Sequence, residues 1–492
     1  MNFKFEKLSL WLIISIFTLY SCSKDATTPS GDNQDSKFNS LTDRVVMKHE
    51  YRAAWLTTAY KLDWPGTVTG ASAQQSYLVS LIDKIYNLNM NVVLFQGMTS
   101  AAAFYHSDLL PWTDYLTGTQ GQDPGYDPLQ VAIDAAHSKG MELHIWMNPL
   151  RVGSATGTYA SNHPAVLHPS WYSTYGGVRY WNPGLPEVRQ FLVSVVREVI
   201  KNYDVDGVHF DDYFYPDGLK SSPGTWDDSQ AYAQYGNGLT LNQWREKNID
   251  MMVQEIYNGV KEEDPTVLFG ISPSGQIANA LALYANPVTW LTNKWVDYLA
   301  PQMYWQIGHS TADFAALASY WQANSSGVGI IPGLAAYRLG ESGFPNLSEF
   351  LNEVTICRNY STMKGNCWFR TEHITSVSDV GLNTVSFSTY LKTNIYKYRA
   401  LVPKLGVNSS AIPSAPVVTL TQKSISWAPV TNATAYAVFK LIRNSTTKTN
   451  WDTDLVYKGT ALTFTGTIGA NYVVLALNGR EKSDFQKVVY IE

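Results

Sequence analysis

The chemistry in this chain concentrates in one short stretch, Asp206-Gly-Val-His-Phe-Asp-Asp-Tyr-Phe-Tyr-Pro216. It reads as a strand with an apolar body, Val208 and Phe210, ending in acidic and aromatic residues. Strand side chains alternate faces. Val208, Phe210 and Asp212 therefore share one face, and Gly207, His209, Asp211 and Tyr213 share the other. An imidazole and a carboxylate two residues apart suit the lumen of a parallel barrel, where a strand end opens into a site. The other reading is that Asp211 and Asp212 cap the following helix or turn, as Asp often does. Two more strand ends carry polar or aromatic residues of one parity. One has His144, Trp146 and Asn148 with Arg151 just beyond; the other has Gln302 and Tyr304.

The elements that must position these groups follow a regular pattern. Strands are predicted at 50–57, 91–95, 141–146, 206–210 and 267–271. Three more follow near 295–303, 328–331 and 366–369. Helical spacing covers 77–88, 129–136, 187–201, 241–262 and 348–359, with Pro186 well placed near a helix start. Eight near-continuous apolar strands alternating with helices indicate a parallel sheet covered on both faces, and eight units favour a closed (β/α)8 TIM barrel. The loops 97–128, 149–180 and 213–240 are long, and on this fold such loops build a substrate cleft.

Composition narrows the function. The 492 residues carry a formal net charge of -5 and 16% charged residues, which excludes a basic nucleic-acid surface. Sixteen Trp and 31 Tyr serve either a large core or a cleft of flat faces for sugar rings, and with so little charge they lean towards carbohydrate. No metal-ligand spacing and no Gly-rich phosphate loop stand out, so no cofactor is expected. At the N-terminus, Lys4 and Lys7 precede an apolar run too short for a comfortable transmembrane helix. It ends at Leu19-Tyr-Ser-Cys22, which resembles a lipobox apart from the bulky Tyr20. The expectation is a signal peptide over 1–21, a lipid on Cys22 that holds the protein to a cell-envelope membrane, and a flexible tether over 22–40. Cys357 and Cys367 either pair in an oxidising compartment or remain buried thiols.

The barrel domain is assigned to 41–405. Beyond it, short strand candidates with turn residues between them indicate a small all-β sandwich over 410–492. That region resembles a fibronectin type III domain through Trp427 and Tyr472-Val-Val-Leu-Ala-Leu-Asn478.

A longer resemblance covers the barrel. Tyr51-Arg-Ala-Ala-Trp-Leu56, Asp63-Trp-Pro65, Phe104-Tyr-His-Ser-Asp108 and Pro124-Gly-Tyr-Asp-Pro128 are followed by Asn148-Pro-Leu-Arg151 and Trp181-Asn-Pro-Gly184. The Asp206–Pro216 stretch, Gly270-Ile-Ser-Pro273, Pro301-Gln-Met-Tyr-Trp305 and Gly333-Leu-Ala-Ala-Tyr337 continue in the same order. Together these resemble glycoside-hydrolase-like family 10. The resemblance implies a TIM-barrel glycosidase, often a lipoprotein, with relatives that cleave peptidoglycan strands stripped of their peptides. It adds Trp55, Asp63, Trp305 and Tyr337 to the expected substrate contacts.

Glycoside hydrolysis normally uses two carboxyl groups flanking the scissile bond. Asp211 is the first choice, for acid/base or nucleophilic chemistry. Asp206-Gly-Val-His-Phe-Asp211 resembles by spacing the fourth strand of α-amylase-like barrels, where a strand-end Asp is the nucleophile. Asp212 is the second choice, as acid or orienter. No Glu ends the strand Phe269-Gly-Ile-Ser-Pro273, where an analogy with α-amylase-like barrels places the acid. Substrate assistance by a 2-acetamido group is the alternative, with Gln302 and Tyr304 suited to hold it. The chain departs from the family at Gln96-Gly-Met-Thr99 and at Ser274-Gly-Gln-Ile-Ala-Asn279, where basic and acidic groups give way to small or neutral ones. The departures imply a different or less charged glycan, or a barrel that binds glycan without turning it over.

Overall fold

The computed structural model describes residues 37–211, 214–222, 226–376, 385–406 and 410–492. The expected leader, Cys22, most of the tether, Asp212 and Tyr213 lie outside the described residues.

The strands Tyr51–Leu56 (β1), Val92–Thr99 (β2), Glu142–Met147 (β3), Gly207–Phe210 (β4) and Leu268–Ile271 (β5) lead the barrel. Tyr298–Leu299 (β6), Gly329–Ile330 (β7), Gly333–Ala335 (β8) and Gly365–Phe369 (β9) complete it. They pair in parallel in the order β7-β6-β5-β4-β3-β2-β1-β9-β8. β7 and β8 are halves of one position, split by Ile331 and Pro332, and Pro has no N–H to give a ladder. β7 holds β6 and β8 holds β9, so eight positions close into the expected (β/α)8 barrel.

Helices Ala71–Asn87 (α1), Pro128–His137 (α2), Pro186–Asn202 (α3), Leu241–Glu263 (α4), Pro287–Asn293 (α5), Phe314–Asn324 (α6) and Ser348–Arg358 (α7) cover the outside. Local chemistry sets their starts. Asp127 caps α2, Thr240 and Gln243 form a reciprocal capping box on α4, and Pro opens α2, α3 and α5.

β1 to β5 are buried along their whole length, between helices outside and a packed lumen inside. Tyr51, Trp55, His144, His209 and Tyr298 occupy that lumen, where bulky aliphatic residues usually stand. Such rings fit because small residues face them. A Cβ on Gly207 would lie 2.7 Å from the His144 ring, and one on Gly270 would enter the Tyr298 ring.

After the barrel come Val418–Thr421 (β10), Ser424–Trp427 (β11), Ala435–Arg443 (β12), Asn450–Gly459 (β13), Thr463–Thr465 (β14), Asn471–Asn478 (β15), Glu481–Lys482 (β16) and Val489–Tyr490 (β17). β10, β11 and β14 form one sheet; β13, β12, β15 and β16, with β17 also on β15, form the other. Trp427, Tyr436, Val438, Tyr472 and Val474 share the core between them. The larger sheet buries its second face as well, through Phe439, Leu441, Trp451, Val473 and Leu475 against Leu401 and Val45. Burial on both faces explains why Tyr472-Val-Val-Leu-Ala-Leu477 is apolar without alternation. Arg44–Val46, assigned to the barrel from sequence, instead pair in parallel with Asn450–Asp452 of β13.

Cys357 and Cys367 are free and buried. Cys357 lies between strands and helices and Cys367 in the lumen cluster, so the barrel wall separates them. No helix among the described residues is long and apolar enough to cross a membrane.

Gly270→Ala should lower unfolding free energy by about 1–3 kcal/mol through overpacking against Tyr298, read by chemical denaturation; an unchanged midpoint would refute this lumen packing. Stability should also fall with acid. Burial pushes the His209 imidazole well below its ordinary pKa, and pushes His49 and His163 down to about 4. Burial lowers His373 as well, and among the shifted imidazoles only His137, raised by its hydrogen bond to Asp206, opposes them. The lowered imidazoles make the unfolded chain take up more protons as pH drops through roughly 6.5. The buried carboxyls of Asp250, raised to about 6, and Glu353, raised well above its ordinary value, protonate in the folded chain and act against this. With the imidazoles dominant, stability falls in that direction. The denaturation midpoint is expected to be lower at pH 5 than at pH 7; equal midpoints would contradict it.

Candidate active site

The C-terminal strand ends bring Trp55, Gln96, Trp146, Asn148, Asp211, Ser272, Gln302 and Phe369 around one open cavity of about 600 Å³. Asp211 is 3% exposed and follows β4 directly. Trp146 Nε1 donates to its Oδ2 at 3.3 Å, and Asn148 Nδ2 donates to the same oxygen.

The orientation of Asn148 is fixed from the backbone outward. Thr58 and Ala59 N–H groups donate to Gln96 Oε1 at 2.8 and 2.7 Å. Gln96 must then turn its Nε2 to Asn148 Oδ1, 2.8 Å away. That leaves the Asn148 amide nitrogen for Asp211, because an amide has one accepting and one donating end. A chain of amides thus aims donors at the carboxylate.

Opposite this group stands an aromatic wall. Phe369 meets Trp55, Tyr304 and Tyr337 with ring centroids 5.9–6.0 Å apart, and Tyr304 meets Tyr337 edge-on at 6.0 Å. The long loop after β3 folds into a small antiparallel sheet, Arg151–Ser154, Tyr172–Tyr175 and Val178–Trp181, that forms another side. Arg151 lines the cavity there and donates to Tyr60 OH at 3.3 Å. A cavity of about 520 Å³ adjoins through Gln302, and one of about 630 Å³ adjoins through Thr99, Ser100, Gly153 and Ser154. The three make a trough across the barrel mouth with Asp211 in its central part.

Of the residues expected from sequence, Trp55, Trp146, Asn148, Arg151, Asp211, Gln302, Tyr304 and Tyr337 line this cavity. His144 and His209 do not; both are fully buried beneath it. Trp55 Nε1 donates to His209 Nε2 at 3.2 Å, and Ser272 Oγ lies 3.1 Å from the same nitrogen. Asp63 is also withdrawn. Its carboxylate accepts from Thr57 N, Arg370 Nη1 and Glu372 N, tying the loop after β1 to the segment after β9. Trp305 is half-buried and does not line the cavity. Asp212 and Tyr213, like Cys22, lie outside the described residues.

Sequence reasoning missed Gln96, Ser272 and Phe369. Each continues the inward parity of its strand, after Leu94, Gly270 and Cys367, and that alternation was the available signal. Among the described residues no group of three His, Cys, Asp or Glu side chains is placed to hold a metal ion.

Comparison with known proteins gives the family. The family model described as Glycosyl hydrolase-like 10 matches residues 50–348. Glycosyl hydrolase YngK of Bacillus subtilis is 34% identical over 408 residues, covering 77% of this chain and 78% of its own. Glycosyl hydrolase DigH of Escherichia coli K12 is 35% identical over 328 residues, covering 59% of this chain and 74% of its own. Among solved structures, the PgaB (BpsB) glycoside hydrolase domain from Bordetella bronchiseptica aligns with a TM-score of 0.46 and 16% identity, over 68% of this chain and 100% of that one. The family match and the two curated relatives lead to one conclusion: this chain belongs to the glycosyl hydrolase-like 10 family and is a glycoside hydrolase.

Proposed function

We propose that the enzyme cleaves O-glycosidic bonds within an amino-sugar glycan of the bacterial cell wall, with Asp211 at the scissile bond. The observation that carries this reading is a carboxylate at the cavity floor, aimed by Asn148 and Trp146 at the end of β4. Among the described residues lining the central cavity, Asp211 is the one carboxylate and Arg151 the one cation. A central cavity with one charge of each sign, walled by Trp55, Tyr304, Tyr337 and Phe369, and flanked by Asp114 and Asp217 in the adjoining cavities, suits the apolar faces of sugar rings better than a heavily anionic polymer. Extension on both sides of Asp211 supports a chain bound across the mouth rather than at its end.

Asp211, whose Oδ2 accepts from Trp146 and Asn148, would serve as nucleophile on the anomeric carbon with Asp212 as the acid. In the other assignment Asp211 is the general acid that protonates the departing glycosidic oxygen. The opposing nucleophile is then either a second carboxylate, with Asp212 as the candidate, or the substrate's own 2-acetamido oxygen. Gln302 supports the second route. Its Nε2 is anchored on Ser272 O at 3.0 Å, which holds the side chain at the cavity wall beside Tyr304. Water completes the reaction by adding to the anomeric carbon, with the carboxylate that served as acid taking its proton.

In the same reading the protein is an envelope lipoprotein anchored through Cys22, and its C-terminal sandwich is a fibronectin type III-like module.

Two experiments test this reading. A soluble form beginning at Lys37 keeps Phe38, whose ring lies 6.0 Å from Trp451, and it should release reducing ends from denuded glycan strands or acetamido-sugar polymers. Asp211→Asn should lower that rate by at least about 10²-fold; a rate that survives removes Asp211 from the role, and tight binding without product favours a glycan-binding protein. Cys22→Ala should move the full chain from the membrane fraction to the soluble one, and unchanged fractionation would end the lipid-anchor reading.

A further inference from the structure

The turn between β15 and β16 pushes Arg480 into the floor of the barrel. Its guanidinium donates to Glu142 Oε2 from Nη2 at 2.8 Å and from Nε at 3.2 Å. It also donates to Thr266 O at 3.0 Å and Asp206 O at 3.1 Å. One side chain of the C-terminal module thereby ties the starts of β3, β4 and β5. Glu142 is buried, which alone would raise its carboxyl pKa, but the Arg480 charge and the His144 hydrogen bond outweigh burial and hold it well below the usual range.

From Glu142 a file of hydrogen bonds climbs the lumen. His144 Nε2 lies 3.3 Å from Glu142 Oε2, and His144 Nδ1 lies 3.0 Å from Tyr298 OH. Tyr298 OH lies 3.0 Å from His209 Nδ1, and His209 Nε2 meets Trp55 Nε1 at 3.2 Å. Each end allows one role. An ionised carboxylate only accepts, and an indole N–H only donates. His209 Nε2 must therefore accept, so its proton sits on Nδ1 and goes to the Tyr298 oxygen. His144 donates from Nε2 to Glu142, so its Nδ1 accepts, from Tyr298 at 3.0 Å and from Tyr51 OH, which lies 3.3 Å from the same nitrogen. The reverse order would set two N–H groups against each other at Trp55.

We propose that Arg480 is a positioning residue of the glycosidase site, acting through Glu142, His144, Tyr298 and His209 to fix the Trp55 indole and the neighbouring Ser272 in the cavity floor. It fixes the lower end of the file, the His144 tautomer, by keeping Glu142 an acceptor. Without the guanidinium, a buried Glu142 takes up a proton and can donate to His144 Nε2. That moves the His144 proton to Nδ1 against the Tyr298 hydroxyl, while Trp55 still holds the His209 proton on Nδ1. The C-terminal module is then part of the catalytic apparatus rather than a spacer.

This inference deepens the hydrolase reading, and its test separates the two. In the wild-type full chain, ¹⁵N NMR of labelled imidazoles should place the proton of His209 on Nδ1 and that of His144 on Nε2. A proton on His209 Nε2 overturns the proposal whether or not any glycan is cleaved. Arg480→Gln should move the His144 proton towards Nδ1 while that of His209 stays on Nδ1, shift the Trp55 indole N–H signal and lower kcat about tenfold or more with KM within about twofold. Arg480→Lys, which keeps the charge, should restore the wild-type tautomers and most of kcat. Wild-type tautomers and kcat in Arg480→Gln would reduce Arg480 to an interdomain clamp. If the wild type cleaves no glycan, the hydrolase reading fails while the tautomer pattern still decides the relay.

Discussion

The lumen of this barrel imposes the constraint on which the rest depends: it is filled with rings that must hydrogen-bond. Aliphatic side chains need only fit, whereas a buried imidazole or phenol also needs each polar atom matched. Tyr298 illustrates how this is met. Its hydroxyl sits between His144 and His209 at equal distances, and Gly270 gives its ring room. Shape and hydrogen bonding are specified together, so the floor beneath Asp211 has few ways to rearrange. A neutral His209 also adds no charge beneath the carboxylate two residues further along its strand.

Much of this was legible in the sequence because a parallel barrel converts alternation into location. Parity placed Trp146, Asn148, Asp211 and Gln302 at the mouth, and the helices α1 to α4 followed from their apolar spacing. Depth was not legible. His144 and Asn148 share a face, yet one is buried in the lumen and the other aims at Asp211, because rise along the strand separates them. Nor could spacing show that Asp63 is spent on Arg370, a partner that is distant in sequence. The helix α6 escaped because Ala-rich Phe314–Asn324 has little contrast between its faces.

The C-terminal region shows a different limit. Its strands were visible as short apolar runs, but the sequence does not say what covers the second face of the larger sheet. The answer includes residues that flank the barrel in sequence, Val45 and Leu401, and the Arg480 turn reaches three barrel strands. A boundary drawn from composition therefore cuts through an interface that the folded chain treats as interior.

The pairing of Arg44–Val46 with β13 has a mechanical consequence. The segment leading to the N-terminus leaves from the floor side of the molecule, where the C-terminal sheets sit, and the mouth opens at the far end of the strands. Tension applied through Lys37 would load the parallel pairing lengthwise, with its bonds sharing the force as in a lap joint.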